Sequence, residues 1–257
     1  MRFASLGSGS EGNALVVEAG TTRVMLDCGF GLRDTMRRLA RKELLPGQIS
    51  AIVITHEHSD HLGGAASFAR KHNIPVWMTH GTFQVFRQQH ETLPTVHIFD
   101  SHSRFCIADI ELQPFPVPHD AREPAQFVFN DGRHKLGVLT DVGAVTSHIV
   151  AMLTGCDALV LECNHDPQLL AQSSYPFGLK QRIAGQFGHL DNQTAADLLS
   201  RIKPDSLQHL VAAHLSRQNN RPDLALACLA DVLGCTPDWL GYADQEQGFE
   251  WRSLVSS

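Results

Sequence analysis

The chain has 257 residues, of which 43% are hydrophobic, and this share supplies the core of an ordinary globular protein. Its 21 basic and 27 acidic residues give a formal net charge of -6, which excludes a generally basic surface. Any nucleic-acid site in this chain must therefore be a local patch.

The chain start and the cysteines indicate the compartment. Residues 1–7 lack the apolar core of a secretory signal, and no run approaches the roughly 18 apolar residues of a membrane span. The six cysteines are scattered without a C-x-x-C pair, which is typical of reduced thiols. No linker-like stretch divides the chain. We therefore predict a cytoplasmic protein with one domain spanning residues 1–257.

In the first half of the chain, short apolar runs alternate with segments of helical spacing. A turn at Ala19-Gly20-Thr21 joins two of the runs, so we expect the protein to open with a β-hairpin. The continuous apolar run ISAIVIT suits a buried strand. The predicted elements are strands at Ala14–Val17 and Arg23–Asp27, a helix at Leu32–Lys42, a strand at Ile49–Thr55, a helix at Leu62–Lys71 and a strand at Pro75–Met78.

The second half repeats this alternation. Asp191 is placed to cap a helix that starts at Asn192, after breaks at Gly185 and Gly188. The predicted elements are strands at Lys135–Thr140, Ala158–Glu162 and Ser206–Ala213, and helices at Ser147–Leu153, Asn192–Ile202 and Asp223–Leu233. Two similar halves predict two packed sheets with helices outside, and polar residues cluster just after the strand ends, where α/β proteins build their sites.

The strongest functional signal is the heptapeptide THEHSDH at residues 55–61, directly after a predicted buried strand. Three imidazoles and a carboxylate within six positions suit a borderline-soft divalent metal. In a tight turn, His56 and His58 can reach one ion while Asp60 and His61 point to a second. A solvated polar loop is the alternative interpretation, and the density of ligand-type residues disfavours it.

One loop cannot complete two metal sites, so further ligands must come from elsewhere in the chain. His119, Asp141 and His214 each directly follow an apolar, strand-like segment. Taken alone, each residue is equally compatible with capping or with the edge of the core. Their shared position after strand ends makes them candidate ligands.

These residues together resemble the ordered motifs of the metallo-β-lactamase fold. The resemblance implies a mixed α/β (α+β) protein built as a four-layer αβ/βα sandwich, with the site at the edge of the two sheets. It also implies two divalent ions. One ion would be held by His56, His58 and His119, the other by Asp60, His61 and His214, and Asp141 would bridge them.

Further motifs resemble those of the YycJ-like (WalJ) group within this superfamily, which is associated with 5′-to-3′ exonuclease activity on DNA. The matching segments are residues 7–13, 117–121, 137–143, 161–166, 179–183, 188–192 and 214–222. Asp191 departs from the pattern, because a serine is expected there, and an acid weakens a phosphate-binding interpretation of that loop. The resemblance implies a metal-dependent phosphodiesterase with DNA as its partner.

Phosphodiester hydrolysis needs an activated water, neutralised phosphate charge and help for the leaving oxygen. Two ions about 3.5–4 Å apart can lower the pKa of a bridging water and clamp the phosphate oxygens. Asp60 and Asp141 are placed to orient the resulting hydroxide. His189 lies in a Gly-His pair before a helix, similar to the pair that donates a proton or contacts phosphate in transfer-RNA 3′-processing enzymes. The predicted catalytic residues are thus Asp60, Asp141 and His189.

Polar residues near these motifs are candidates for secondary roles. The candidate substrate contacts, through backbone amides or charged side chains, are Ser8, Ser10, Asn13, Lys180, Arg182 and Asn219. The candidates for orienting a metal ligand from behind are His165 and Asp166. For each of these residues the alternative is a purely structural role, in a sharp turn or on a solvent-exposed face.

Two other functions remain open. One is hydrolysis of a small molecule, such as a cyclic nucleotide phosphodiester or a thioester, because the fold hosts many hydrolases. The other is a metal-stabilised binding module, which would require the loss of one of the seven ligands, and all seven are present. Zinc and manganese both suit His/Asp ligands. The resemblance also allows a homodimer, because small nucleases of this fold often form dimers.

Overall fold

The computed structural model describes residues 1–89, 92, 95–202, 204 and 207–256. The strands are β1 (Arg2–Gly7), β2 (Ala14–Ala19), β3 (Thr22–Leu26), β4 (Ala51–Val53), β5 (Val76–Met78), β6 (Val96–Ile98), β7 (Phe105–Ile107), β8 (Ile110–Pro116), β9 (Ala125–Asn130), β10 (Lys135–Leu139), β11 (Ala158–Glu162), β12 (His209–Ala213), β13 (Gly241–Tyr242) and β14 (Phe249–Ser253). The α-helices are α1 (Leu32–Arg41), α2 (Ser59–Leu62), α3 (Ala65–His72), α4 (His80–Gln89), α5 (Ser147–Leu153), α6 (Pro167–Gln172), α7 (Phe177–Ile183), α8 (Asn192–Arg201) and α9 (Pro222–Leu233). Short 3₁₀-helices cover Pro46–Gln48 and Pro237–Trp239.

The strands form two sheets of matching design, in the orders β14-β1-β2-β3-β4-β5-β6 and β13-β12-β11-β10-β9-β8-β7. In the first sheet, β14 and β1 to β3 are antiparallel, and β3 to β6 are parallel. In the second, β7 to β10 are antiparallel, and β10 to β13 are parallel. The two similar halves that the sequence predicts are thereby confirmed.

Buried apolar side chains separate the molecule into four layers. One cluster lies between the sheets and includes Val53 and Val160. A second packs the outer face of the first sheet against α1 and α3, with Ile52 and Phe68 among its members. A third packs the second sheet against α5, α8 and α9 and includes Leu159. This is the αβ/βα sandwich that the resemblance implied. None of the helices within the described residues is long and apolar enough to cross a bilayer.

The alternation of side chains along each strand explains why the parallel strands have continuous apolar sequences. In β4, Val53 faces the other sheet while its neighbour Ile52 faces the helices. In β11, Val160 and Leu161 are divided in the same way. Because successive side chains point to opposite faces and both faces are covered, every position must be apolar.

The structure corrects several predicted elements. The protein opens with three antiparallel strands rather than a hairpin, because β1 precedes the predicted pair. The predicted helix at Leu62–Lys71 is divided between α2 and α3 around Gly63 and Gly64. The predicted strand at Ser206–Ala213 begins at His209, and Ser206 lies outside the described residues. The prediction lacked α4, α6, α7, β6 to β9, β13 and β14.

Candidate metal centre

The candidate ligands lie where the strands of both sheets end, at one edge of the sandwich. The turn that carries His56 and His58 follows β4, and α2 then supplies Asp60 and His61. The second sheet contributes the residues that follow β8, β10 and β12, which are His119, Asp141 and His214. The sequence prediction that strand ends gather these side chains therefore agrees with the structure.

Three residues of the site have left-handed backbone conformations. The φ angles are 61° at Asp27, 53° at Asp141 and 54° at His214, and each residue comes just after a strand. Residues other than glycine rarely adopt positive φ, and such strained positions cluster at functional sites. Each of these side chains contacts another residue of the site, since Asp27 and Asp141 lie near His61 and His214 lies near Asp60.

The seven candidate ligands fall into overlapping groups whose ligand atoms lie within 4.8 Å of one another. The groups are His56 with His58 and His119, Asp60 with His61 and His214, and His56 with His61 and Asp141. The buried Nε2 atoms of His56 and His214 have no hydrogen-bond partner. Buried polar atoms are normally paired, so these imidazoles fit a bound cation. The donor set of imidazoles and carboxylates suits zinc or manganese.

The geometry also shows which ring nitrogens are available. His61 Nδ1 donates to Asp27 Oδ2 at 2.7 Å, which leaves Nε2 for a metal. His119 Nδ1 lies 3.1 Å from the carbonyl oxygen of Gly188, so its Nε2 is likewise available. His58 is reversed, because its Nε2 lies 3.2 Å from the carbonyl of Asp120. Partners of this kind fix ligand orientation.

Asp27 was absent from the sequence prediction. Its buried carboxylate accepts hydrogen bonds from the backbone amide and the hydroxyl of Thr55, at 2.8 and 3.0 Å, besides the one from His61. It therefore joins the end of β3 to the ligand turn. The available signal was a carboxylate at the last position of a predicted strand, close to the signal that identified Asp141 directly after one.

The pKa values of the histidines predict proton release when metal binds. Burial lowers the pKa of His61, but the carboxylates of Asp141, Asp27 and Asp60 outweigh it and raise this pKa well above its ordinary value. Asp141 and Asp60 likewise overcome burial and raise the pKa of His214. The carboxylates thus favour the protonated form of both imidazoles in the metal-free protein, whereas metal ligation needs the neutral ring.

We therefore expect zinc binding to the metal-free protein at pH 7 to release protons from these two histidines. The apparent metal affinity should rise as the pH rises toward their folded-state pKa values. Titration calorimetry in buffers of different ionisation enthalpy measures this release. An observed heat that is the same in every buffer would contradict the expectation.

Gly29 sets the position of the ligand turn. A methyl group at Gly29 would lie 1.8 Å from the carbonyl oxygen of Asp60. That same oxygen accepts the backbone amide of Asn13 at 2.7 Å, so the turn cannot move away without breaking this bond.

We expect Gly29→Ala to cost about 1–3 kcal/mol of stability through overpacking. The displaced turn should weaken metal binding about 10-fold or more. Equilibrium dialysis with metal analysis gives the affinity. Gly31→Ala is the matched control, because a methyl group there meets nothing within 4 Å. Equal metal binding by both variants would show that the turn tolerates displacement.

A cavity of about 210 Å³ opens at the centre and is lined by several candidate ligands together with Ser10, Arg182 and His189. Arg182 Nε donates to Asp120 Oδ2 at 2.6 Å. Of the six candidate substrate contacts, Ser10 and Arg182 are therefore the two among the described residues that line this cavity.

The remaining candidate contacts have other positions. Ser8 Oγ accepts the backbone amide of His214 at 3.0 Å, and Asn13 Nδ2 lies 3.1 Å from His61 Nε2, so both contact candidate ligands and neither lines the cavity. Lys180 is half-buried and donates to the carbonyl of Ala171. Asn219 is buried, with its amide bonded to Ser216. The predicted direct contact from Asn219 is thus replaced by packing within its own loop.

The predicted orienting residues also differ from expectation. Asp166 Oδ1 accepts the amides of Gln168 and Leu169 and caps α6, which is a structural role. His165 is buried, and its carbonyl accepts the amide of Asn192. Within the described residues, neither side chain has a hydrogen bond to a candidate ligand. Asp191, the acid at the expected serine, caps α8 by accepting the amide of Thr194.

His189 is held by Glu162, a second residue that the prediction lacked. His189 Nδ1 donates to Glu162 Oε1 at 2.8 Å, which leaves Nε2 for the cavity. Burial lowers the pKa of His189, but the Glu162 carboxylate outweighs it and raises this pKa to about 9. Glu162 is fully buried, and its Oε2 also accepts the amides of Val142 and Leu190 at 3.0 and 3.1 Å.

The same atoms form a further group of metal-ligand type, made of Asp141, Glu162, His189 and His214. Both oxygens of Glu162 already accept hydrogen bonds from neutral or cationic donors. We therefore assign Glu162 to positioning rather than to metal ligation. One carboxylate fixes the loop of Asp141 and the loop of His189 relative to each other.

Comparison with known proteins gives relatives in both sequence and structure. Residues 22–214 match the β-lactamase superfamily domain. The chain is 34% identical to the exodeoxyribonuclease YycJ of Bacillus anthracis, over 91% of this chain and 89% of the relative. It is 32% identical to the exodeoxyribonuclease WalJ of Streptococcus pneumoniae, over 90% of this chain and 88% of that one. The metallo-β-lactamase fold protein YhfI of Bacillus subtilis superimposes with a TM-score of 0.77 at 14% identity, covering 98% and 99% of the two chains, a likeness of fold alone.

Proposed function

The chain belongs to the β-lactamase superfamily, in its YycJ/WalJ branch, and from that premise we propose that it is a 5′-to-3′ exonuclease acting on DNA. Membership makes it a metal-dependent hydrolase of the nuclease and phosphodiesterase kind. The DNA substrate and the direction of cleavage are the proposed part. They rest on the names of the two relatives, both exodeoxyribonucleases, and on the site.

One observation carries the proposal. Four of the seven grouped ligands line the same cavity as His189, and a buried carboxylate holds that imidazole through Nδ1. A phosphodiester needs charge neutralisation on its oxygens and a proton for its leaving oxygen. The ligand groups serve the first need and His189 the second.

The proposed division of labour follows the residues. His56, His58 and His119 would hold one ion, Asp60, His61 and His214 the other, and Asp141 would bridge them. When bound, the ions supply Lewis acidity toward the phosphate and lower the pKa of an attacking water.

The chain itself then does the rest. Asp60 lines the cavity and offers a carboxylate oxygen that orients the attacking water. His189 holds a proton at Nε2 for the departing oxygen, and Glu162 fixes the ring so that Nε2 faces the cavity. Arg182, paired with Asp120 at the wall, offers positive charge to a backbone phosphate.

We also propose that the chain acts as one domain. Strand β14, close to the C-terminal end of the described residues, pairs with β1 at the other end, which supports this. Zinc or manganese is the proposed metal, since imidazole and carboxylate ligands suit both.

Incubation with end-labelled oligonucleotides tests the function. The purified protein, with added Mn²⁺ or Zn²⁺, is mixed with single- and double-stranded DNA and RNA. Asp60→Ala serves as the control for a contaminating nuclease. Progressive shortening of DNA from the 5′ end, absent in the variant, is the expected result. Intact polymers beside cleavage of bis-p-nitrophenyl phosphate would replace the nuclease proposal by hydrolysis of a small molecule.

A further inference from the structure

Gln245, in the loop that joins β13 to β14, is a buried polar side chain with no role in the proposed mechanism. It is 6% exposed, and its side-chain amide bonds to the backbone of the turn at residues 7–13, here called the glycine-rich turn. Gln245 Nε2 donates to the carbonyl of Gly12, and its Oε1 accepts the backbone amide of Glu11, both at 2.9 Å. Buried hydrogen bonds of this kind are costly to break, so the amide holds the turn in one conformation.

The position of Gln245 is itself fixed by its neighbours. Arg38 of α1 is buried, and its Nη1 donates to the backbone carbonyl of Gln245 at 3.0 Å. The backbone amide of Ser8 donates to the carbonyl of Asp244 at 3.2 Å. A methyl group at Gly9 would lie 2.5 Å from Gln245 Oε1, so the glycine-rich turn packs directly against this side chain. The loop and the turn thus form one tightly packed unit.

The glycine-rich turn contacts the second ligand group, which consists of Asp60, His61 and His214. The backbone amide of Asn13 donates to the carbonyl of Asp60 at 2.7 Å. Ser8 Oγ accepts the backbone amide of His214 at 3.0 Å and donates to Asn13 Oδ1 at the same distance. Asp60 lies in α2, which follows β4 of the first sheet, and His214 directly follows β12 of the second. The turn therefore links ligands that come from opposite sheets.

The first ligand group, which consists of His56, His58 and His119, has different supports. His58 Nε2 lies 3.2 Å from the carbonyl oxygen of Asp120, and His119 Nδ1 lies 3.1 Å from that of Gly188. In the part of the chain that the structure describes, no side chain of this group hydrogen-bonds to the glycine-rich turn. A shift of the turn should therefore displace the second group more than the first.

Resting on the ligand division of the proposed function, we propose that Gln245 is a positioning residue for the second ion. Through the glycine-rich turn, it keeps Asp60 and His214 in the relative positions that a shared ion requires. Loss of its two hydrogen bonds should weaken binding of the second ion and leave binding of the first unchanged. Substitutions behind a metal ligand lower metal affinity about 10- to 100-fold, and we expect the lower value here because Gln245 acts through the turn.

Two backgrounds with one complete ligand group each separate the two ions. His58→Ala removes a ligand of the first group and leaves the second complete, whereas Asp60→Ala removes a ligand of the second group and leaves the first complete. Zinc binding to each metal-free protein is measured by competition with a chelator of known affinity. This measurement requires no substrate, so its result is independent of the nuclease proposal.

Gln245→Met is the test variant, because methionine fills a similar volume without making either hydrogen bond. Its zinc dissociation constant should rise about 10-fold in the His58→Ala background and stay unchanged in the Asp60→Ala background. Gln247→Met is the matched control, because Gln247 is exposed in the same loop, and it should change neither constant. Thermal unfolding of the metal-free proteins verifies that each variant folds. If Gln245→Met does not fold, Gln245→Ala replaces it with the same expectation, since the smaller residue leaves room for water to pair with the freed backbone groups.

The possible outcomes distinguish this inference from the proposal on which it rests. Equal weakening in both backgrounds, or in neither, would assign Gln245 a purely structural role and overturn the inference while the nuclease proposal stands. Weakening confined to the Asp60→Ala background would overturn it too, since the support would then lie under the first ion. If neither background binds zinc although the wild type does, the ligand division is wrong and the inference fails with it.

Discussion

Asp141→Asn is expected to lower kcat/KM for DNA about 100- to 1000-fold, because charge stabilisation by bound metal contributes several kcal/mol to such reactions. Asp141 is buried, and its oxygens lie 3.0 Å from His61 Nε2 and 3.4 Å from His214 Nε2. Two of the seven proposed ligands are carboxylates. Asp141 is the one that the second sheet supplies, and it reaches both of these histidines. Asparagine keeps the size of the side chain and tolerates the φ of 53° at this position. The effect should thus come from the lost negative charge rather than from backbone strain.

Metal analysis of the same variant identifies the cause. Loss of at least one of two bound ions should accompany the loss of activity. Asp109→Asn is the control. Asp109 lies just before β8, at the end of that strand opposite to His119, and its carboxylate accepts a hydrogen bond from the Thr22 hydroxyl. An Asp141→Asn protein that keeps both ions and full activity would remove Asp141 from the centre.

The elements that could be predicted are those whose burial in the structure is visible as an apolar pattern in the local sequence. The parallel strands β4, β10 and β11 are covered on both faces, so their apolar runs indicate strands regardless of neighbours. Polar side chains directly after such strands, as at Asp141 and His214, then indicate the site edge. The strand-end position thus indicated His119, Asp141 and His214, whereas the other four candidate ligands depended on the 55–61 motif, and the division of all seven between two ions depended on the family resemblance.

The missed elements lack a local pattern. Strand β6 is partly exposed, and α7 has no buried residue, so no apolar stripe marks either of them. Asp27 and Glu162 were missed for a different reason. A carboxylate in a sequence does not reveal that a histidine 34 or 27 residues further along the chain will donate to it, because that contact exists only once the chain has folded.

The same limitation explains the candidate contacts that the structure moved. Ser8 and Asn13 belong to a turn that the sequence predicts to be near the site, yet their side chains contact His214 and His61 instead of lining the cavity. A glycine-rich turn predicts closeness to a site but not which side of it a side chain occupies. Asp166 likewise satisfies the amides of α6, the role most common for an aspartate before a helix.

The proposed proton donation by His189 gives a kinetic prediction that separates this role from the binding of metal or phosphate. His189→Ala should lower kcat on DNA about 100- to 10,000-fold, the usual range for loss of a general acid. The rate on bis-p-nitrophenyl phosphate should fall far less, within about tenfold, because p-nitrophenolate leaves without needing a proton.

Glu162→Gln should show the same difference between the two substrates. Its rate on DNA should fall about 10- to 100-fold, since the substitution weakens the orientation of an imidazole that remains present. The DNA and small-diester rates of each variant are measured at equal metal occupancy. His80→Ala is the control, because His80 is an exposed residue at the start of α4. Equal losses on both substrates would instead assign His189 to holding the metal or the phosphate, because leaving-group protonation is the one role that depends on which oxygen departs.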